Sequence, residues 1–289
     1  MPFQPYKIVG RFADWKRLGT LVLLFVVLGC SAEFAATGSE SAALSIVTTN
    51  RSTENSPERF HSNSPTLDDA DLRILFIGNS HTLGHDLDGL VADLIRFRRP
   101  NSKAATESIM VGFLEQAETT PATVKRLTKV KWDKVVLQAQ KISASARTEY
   151  STAEGIAFAR RAIKSGAKVH FFAEWGIQGD AKNAAHTDGV YRKMATEAEA
   201  ALIPVTRVWT RVLAESPDLA LYSEDGNHQS RLGASLTALT IAAFLLEESP
   251  EVFADFPDPV ATPAEWATFV KAATAEWESQ RDAAAPESK

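Results

Sequence analysis

The chain of 289 residues carries a single cysteine, Cys30. One thiol near the N-terminus excludes a disulfide framework and leaves the rest of the chain without a cysteine nucleophile. A basic excess is also missing. Lys and Arg number 31 against 36 Asp and Glu, for a net charge of −5 and a pI near 5.8. That balance excludes the phosphate-neutralising surface on which nucleic-acid binding depends. No internal repeat is visible. The uncharged run from Leu18 to Gly29, LGTLVLLFVVLG, is too short for a membrane span, which needs roughly 20 residues. What is present suits a globular protein: hydrophobic content of 45% and charged content of 23%, in a chain long enough for one sizeable domain with appendages.

The N-terminus has the layout of an export signal, with Lys7, Arg11, Lys16 and Arg17 ahead of the apolar run. Cys30 directly follows Val27-Leu28-Gly29, which resembles a bacterial lipobox and implies lipidation of Cys30. A plain signal peptide cut near SAEFAA is the alternative. Residues 31–70, rich in Ser, Thr, Ala, Glu and Asn without a sustained period, read as a flexible linker. The expected organisation is a leader over 1–30, this linker, a folded domain over 71–250, and a C-terminal helix and tail over 251–289. The expected location is outside the cytoplasm, with membrane contact only through the lipid anchor.

From Leu72 onward, short apolar runs alternate with helical stretches. The runs are LRILFIG, ESIMVG, KVVLQA, KVHFFAEW and IPVTRVW; the helices are expected over Thr82–Arg98, Gln116–Leu127, Thr152–Lys164, Ala181–Leu202, Ser230–Glu247 and Pro263–Arg281. Continuous apolar strands buried on both faces, separated by helices, predict βαβ units and a parallel sheet. Sites in such sheets form beyond the carboxyl ends of the strands, so the residues just after each run are the candidates. His170, inside a run, reads as structural.

Gly78-Asn79-Ser80-His81 follows the first run. A serine there is either a helix N-cap, worth about 1 kcal/mol, or a nucleophile whose oxyanion would face helix N–H groups; both readings need the same local residues. His81, His85 and Asp88 fall at i, i+4 and i+7, one face of the expected helix. Two histidines and a carboxylate at that spacing could hold zinc, though the stretch lacks the glutamate of a metalloprotease helix. Far downstream, Asp225 and His228 precede an apolar helix. A carboxylate three residues before a histidine can accept from one ring nitrogen and leave the other to take a proton; a capping aspartate beside an incidental histidine fits the same spacing.

Gly-Asn-Ser after the first strand, with Asp-x-x-His before the last apolar helix of the domain, resembles the SGNH/GDSL hydrolase superfamily. VGFLEQA, WDKVVLQAQ, FFAEWG and IPVTRVW, in that order, resemble one branch of its secreted bacterial members. The resemblance runs from Leu72 to about Pro250. It implies an α/β fold: a three-layer α/β/α sandwich around a central parallel, flavodoxin-like sheet of about five strands. It implies Ser80 as nucleophile, His228 as general base and Asp225 as its orienting carboxylate, with the backbone N–H groups of Ser80 and Gly112 in an oxyanion hole. The superfamily's Gly-x-Asn-Asp block is replaced here by VVLQAQ, so the missing asparagine donor would be Gln138, or else Gln140. Asn79 stands where aspartate is usual. Asn79, His81, Glu174 and Trp175 are expected at the substrate pocket, although an aromatic in the place of Trp175 is more often a core residue. The expected activity is ester hydrolysis on a small-molecule or glycan ester, O-acetyl groups of carbohydrates among them, with no metal or organic cofactor. Two rival readings are a non-catalytic glycan-binding surface lipoprotein and a metal-dependent hydrolase built on His81, His85 and Asp88.

Overall fold

The computed structural model describes residues 65–284; the expected leader, Cys30 and nearly all of the expected linker lie outside the described residues. Five strands form one parallel sheet: β1 Leu72–Gly78, β2 Ala104–Met110, β3 Lys134–Leu137, β4 Lys168–Phe172 and β5 Ala201–Ile203. Their order is β2-β1-β3-β4-β5. Helices cover both faces: α1 Ser80–Leu83, α2 Leu87–Arg98, α3 Leu114–Thr119, α4 Pro121–Lys129, α5 Ala153–Lys164, α6 Ala181–Ala198, α7 Val205–Glu215, α8 Arg231–Leu246 and α9 Pro263–Ala284.

Successive strand side chains point to opposite faces, which is why the apolar runs alternate nothing. Ile74 and Phe76 of β1 enter one core with α2, α7, α8 and α9, while Leu75 and Ile77 enter the other with α3 to α6. The three-layer sandwich expected from the runs is thus present. The chain steps from β1 out to β2 and returns across β1 to β3, the flavodoxin-like order. The winding reverses between β1 and β3, and a crevice opens beyond their carboxyl ends.

Several element boundaries differ from those read off the sequence. IPVTRVW is not a strand. Strand β5 stops at Ile203, and Val205, Val208, Trp209 and Val212 are buried along one face of α7, the i, i+3, i+4, i+7 repeat of an amphipathic helix. Pro204, whose ring fixes φ and removes a backbone donor, marks the change. Helix α6 ends at Ala198, with Glu199 as a left-handed C-cap at φ 57°, so residues 201–203 are free to pair with β4. The stretch expected as one helix over Gln116–Leu127 is two, because Pro121 opens a new helix at its first position.

The C-terminal helix is built into the core. Trp266, Phe269, Val270 and Ala273 of α9 pack in the cluster that holds Ile74 and Phe76. Glu276, 2% exposed, receives Arg207 and Arg211 from α7. Among the described residues no helix is long and apolar enough to cross a membrane.

His170 on β4 is 4% exposed, and its Nδ1 has no partner among the described residues. Burial, with the positive charge of Lys134 second, lowers its pKa from 6.5 to about 4. The folded form therefore resists protonation more than the unfolded chain does. Its contribution to stability is complete above pH 6.5, is lost as pH falls through that value toward 4, and levels off below, a span of roughly 3 kcal/mol. In His170→Leu, urea unfolding at pH 7 and at pH 4.5 is expected to differ by roughly 2–3 kcal/mol less than in the wild type. An equal difference in both proteins would show that His170 is not the group responsible.

Candidate active site

The turn after β1 leaves no room for side chains other than those it has. A Cβ on Gly78 would come within 2.1 Å of Thr82 Oγ1 and 2.7 Å of Gln138 Oε1. Asn79 is the N-cap of α1, its Oδ1 accepting from His81 N at 3.0 Å. Ser80 is the first helical residue, not the cap, so its hydroxyl is free for another partner. The cap and the free hydroxyl thereby belong to adjacent residues.

The helix expected over Thr82–Arg98 breaks after this one turn. Gln229, 2% exposed, donates its side-chain amide to the carbonyls of both His81 and Gly84 at 3.2 Å. His85 and Asp86 then take left-handed φ values of 57° and 56°, and α2 restarts at Leu87. Behind Ser80 there is only a four-residue helix, so local N–H groups and not a long macrodipole face any anion there. The same break separates His81, His85 and Asp88. His81 Nε2 meets the Asn227 carbonyl at 3.1 Å, His85 Nε2 meets the Gln229 carbonyl at 3.0 Å, and Asp88 accepts from Thr106 at 3.0 Å. The expected shared face does not exist, and no group of three metal-ligating side chains occurs among the described residues.

Ser80 Oγ lies 2.8 Å from His228 Nε2, across 148 positions of sequence. His228 Nδ1 lies 2.5 Å from Asp225 Oδ2. A carboxylate only accepts, so Nδ1 carries the hydrogen and Nε2 is left to accept from the serine hydroxyl. Asp225 divides its two oxygens between two tasks: Oδ2 holds the imidazole, and Oδ1 accepts from the backbone N–H groups of Asn227 and His228, both at 2.9 Å. These hydrogen bonds, the His228 ring first, hold its carboxyl well below the usual carboxylate range. The turn is closed by a bridge between Tyr222 and Gln229 and by Gly226 at φ 64°, a conformation that glycine adopts without cost to a Cβ. A hydroxyl, a base and an orienting carboxylate in series form the nucleophile-activating arrangement, and here it is open to solvent.

One carbonyl anchors the histidine loop to the turn after β1. The oxygen of Asn227 accepts from Trp175 Nε1 at 2.8 Å and faces His81 Nε2. The His81 ring stacks on His228 with centroids 4.9 Å apart and meets Trp175 edge-on at 5.2 Å. Trp175 is 3% exposed and stacks on Trp209 at 4.4 Å. It is therefore both a core residue and a wall of the site.

Beside the triad is a cleft of about 190 Å³ whose lining includes Asn79, His81, Gln140, Glu174, Trp175 and Asn227. The glutamines expected to replace the missing asparagine donor are engaged elsewhere. Gln138 is fully buried; it donates to Glu174 at 3.0 Å and its Oε1 accepts from Asn79 N and Thr82 Oγ1. Gln140 donates to the carbonyls of Lys141 and Ser151. The Gly112 N–H is taken by Gln116 Oε1 at 2.8 Å. That leaves the Ser80 N–H, which at the first helical position has no intrahelical acceptor, and Asn79 Nδ2, which has no acceptor among the described residues. The sequence offers Ser80 as the cap; the structure gives that role to Asn79.

No protein-family model matches the chain, and no curated protein matches it. Solved structures do. A Slackia heliotrinireducens protein assigned to the SGNH hydrolases shares 24% identity at a TM-score of 0.50, over 60% of this chain and 98% of that one. A DUF4886 family protein from Bacteroides uniformis shares 15% identity at a TM-score of 0.55, over 71% of this chain and 93% of that one. The sandwich is the SGNH-type α/β/α fold.

If the Asn227 carbonyl holds His228 against Ser80, Trp175→Phe keeps the ring and removes one donor, a loss of about 0.5–1.5 kcal/mol. Labelling of Ser80 by a fluorophosphonate is then expected to slow by about 2- to 12-fold with the fold retained by circular dichroism. An unchanged labelling rate would show that the contact does not position the base.

Proposed function

We propose that the chain is a serine hydrolase that cleaves carboxylic esters through an acyl-enzyme. The observation that carries this reading is the unbroken line from Ser80 Oγ through His228 to Asp225. Ser80 Oγ attacks the acyl carbon while its proton passes to His228 Nε2, and Asp225 stabilises the imidazolium. The Ser80 N–H, with Asn79 Nδ2 beside it, faces the tetrahedral oxyanion. Collapse expels the alcohol, which takes the proton from His228; water then repeats the sequence and frees the acid. The SGNH-type fold supports the reading as a scaffold, and the residues carry the chemistry.

The cleft, below the roughly 300–1,000 Å³ of typical ligand pockets, suits a short acyl group or a single ring, and an O-acetylated glycan is the substrate class we favour. With the lipobox-like Cys30 and the leader before it, the enzyme would act outside the cytoplasm on a lipid tether. A second reading, a glycan-binding lipoprotein without turnover, is favoured by the engagement of Gly112, Gln138 and Gln140 in other hydrogen bonds.

A fluorophosphonate probe on the purified protein separates the two. The hydrolase reading expects covalent labelling and acetate release from acetylated glycans, both unaffected by chelator. It expects Ser80→Ala to abolish labelling and to lower kcat by at least about 10⁴-fold. A folded wild-type protein that neither labels nor releases acetate would overturn the hydrolase reading and favour the binding one.

A further inference from the structure

Glu174, just beyond β4, is the one acidic side chain lining the cleft among the described residues. Its Oε2 accepts from Tyr191 Oη at 2.7 Å and from Gln138 Nε2 at 3.0 Å. No donor among the described residues reaches Oε1. Glu174 is half-buried at the cleft wall, and burial holds its pKa above the usual carboxylate range against the opposing pull of His81 and its two hydrogen bonds. The rest of the polar lining is the His81 imidazole with amides and a hydroxyl from Asn79, Gln140, Asn183, Thr187 and Asn227.

The position of this carboxyl relative to the nucleophile is rigid. Gln138, to which it is bonded, grips the turn before Ser80 through Asn79 N at 3.1 Å and through Thr82 Oγ1 at 2.7 Å. A group seated against Oε1 therefore lies at a set distance from an ester held at Ser80. An alkyl surface there would strip water from the carboxyl and return nothing, whereas a hydroxyl replaces the lost hydrogen bond.

We propose that Glu174 Oε1 is the specificity acceptor for a hydroxyl borne by the substrate next to its scissile ester, so that the enzyme selects partially acylated polyols or sugar rings over esters of plain alcohols. This rests on the serine-hydrolase reading. Sites that hydrogen-bond a substrate hydroxyl reject the analogue without it far more strongly than apolar pockets reject a methylene.

Three acetates test it: trans-2-hydroxycyclohexyl, trans-2-methoxycyclohexyl and cyclohexyl acetate. The wild type is expected to favour the hydroxy ester over the other two by about 10-fold or more in kcat/KM. In Glu174→Gln the inner atom must remain an oxygen, because Tyr191 and Gln138 both donate to it. The amide NH₂ then faces the cleft, an acceptor replaced by a donor. The hydroxy-to-methoxy ratio is expected to fall by about 10-fold in that variant. Equal ratios in the two proteins, or a wild type that turns over all three esters alike, would overturn the assignment of Glu174 while leaving the hydrolase reading intact. A wild type that neither labels with fluorophosphonate nor hydrolyses any of the three would overturn both.

Discussion

The buried amide of Gln138 holds the carboxyl ends of three strands together. It sits at the end of β3, receives the backbone of Asn79 and the hydroxyl of Thr82 after β1, and donates to Glu174 after β4. Such a group is tolerated in the interior only when its donors and acceptors are matched, and matching it sets the spacing of everything around it. Gly78 must be glycine because the amide and Thr82 occupy the space of its Cβ. Asn79 must present its N–H inward. With the backbone of the turn oriented in this way, the hydroxyl of Ser80 is left pointing outward to meet His228.

The second half of the site rests on hydrogen bonds in an exposed position. Asp225 is open to solvent, and its carboxyl is lowered by what donates to it. The loop that carries it is kept in place through backbone groups: Asn227 O to Trp175, Gly226 O to Gln178, and Tyr222 Oη to the carbonyl of Gly176. Because these contacts join the segment after β4 to the turn before α8, the relative placement of His228 and Ser80 is a property of the sheet and not of the loop alone. Trp175, stacked on the buried Trp209, transmits that rigidity.

The departures from the sequence reading have a common cause. IPVTRVW is short and rich in strand-favouring Val and Ile, yet its buried positions repeat with helical spacing once Pro204 has ended β5. The apolar spacing predicts one helix over Thr82–Arg98, yet Gln229, 148 positions away from His81, takes the carbonyls that the helix would have used. The glutamines of VVLQAQ have the amide chemistry of oxyanion donors. Their partners, Glu174, Lys141 and Ser151, could not be identified from spacing.

What the sequence determines by itself is the local and the repetitive. Apolar runs long enough to be covered on both faces specify a parallel sheet between helices, and glycine, asparagine and serine at the end of the first run specify a tight turn into a helix. Asp225 and His228, three residues apart, already contain the orienting half of a triad, since an aspartate can bond both the ring and the backbone of a histidine at that spacing. Only the tertiary structure decides that Ser80 completes it, that Asn79 and not Ser80 is the cap, and that Glu174 presents a carboxyl oxygen to the cleft. The physical reason is that each of these depends on a hydrogen bond between groups brought together by the winding of the sheet. A hydrogen bond is satisfied by whichever partner the fold delivers, whereas an apolar run carries its own requirement for burial wherever it lies in the chain.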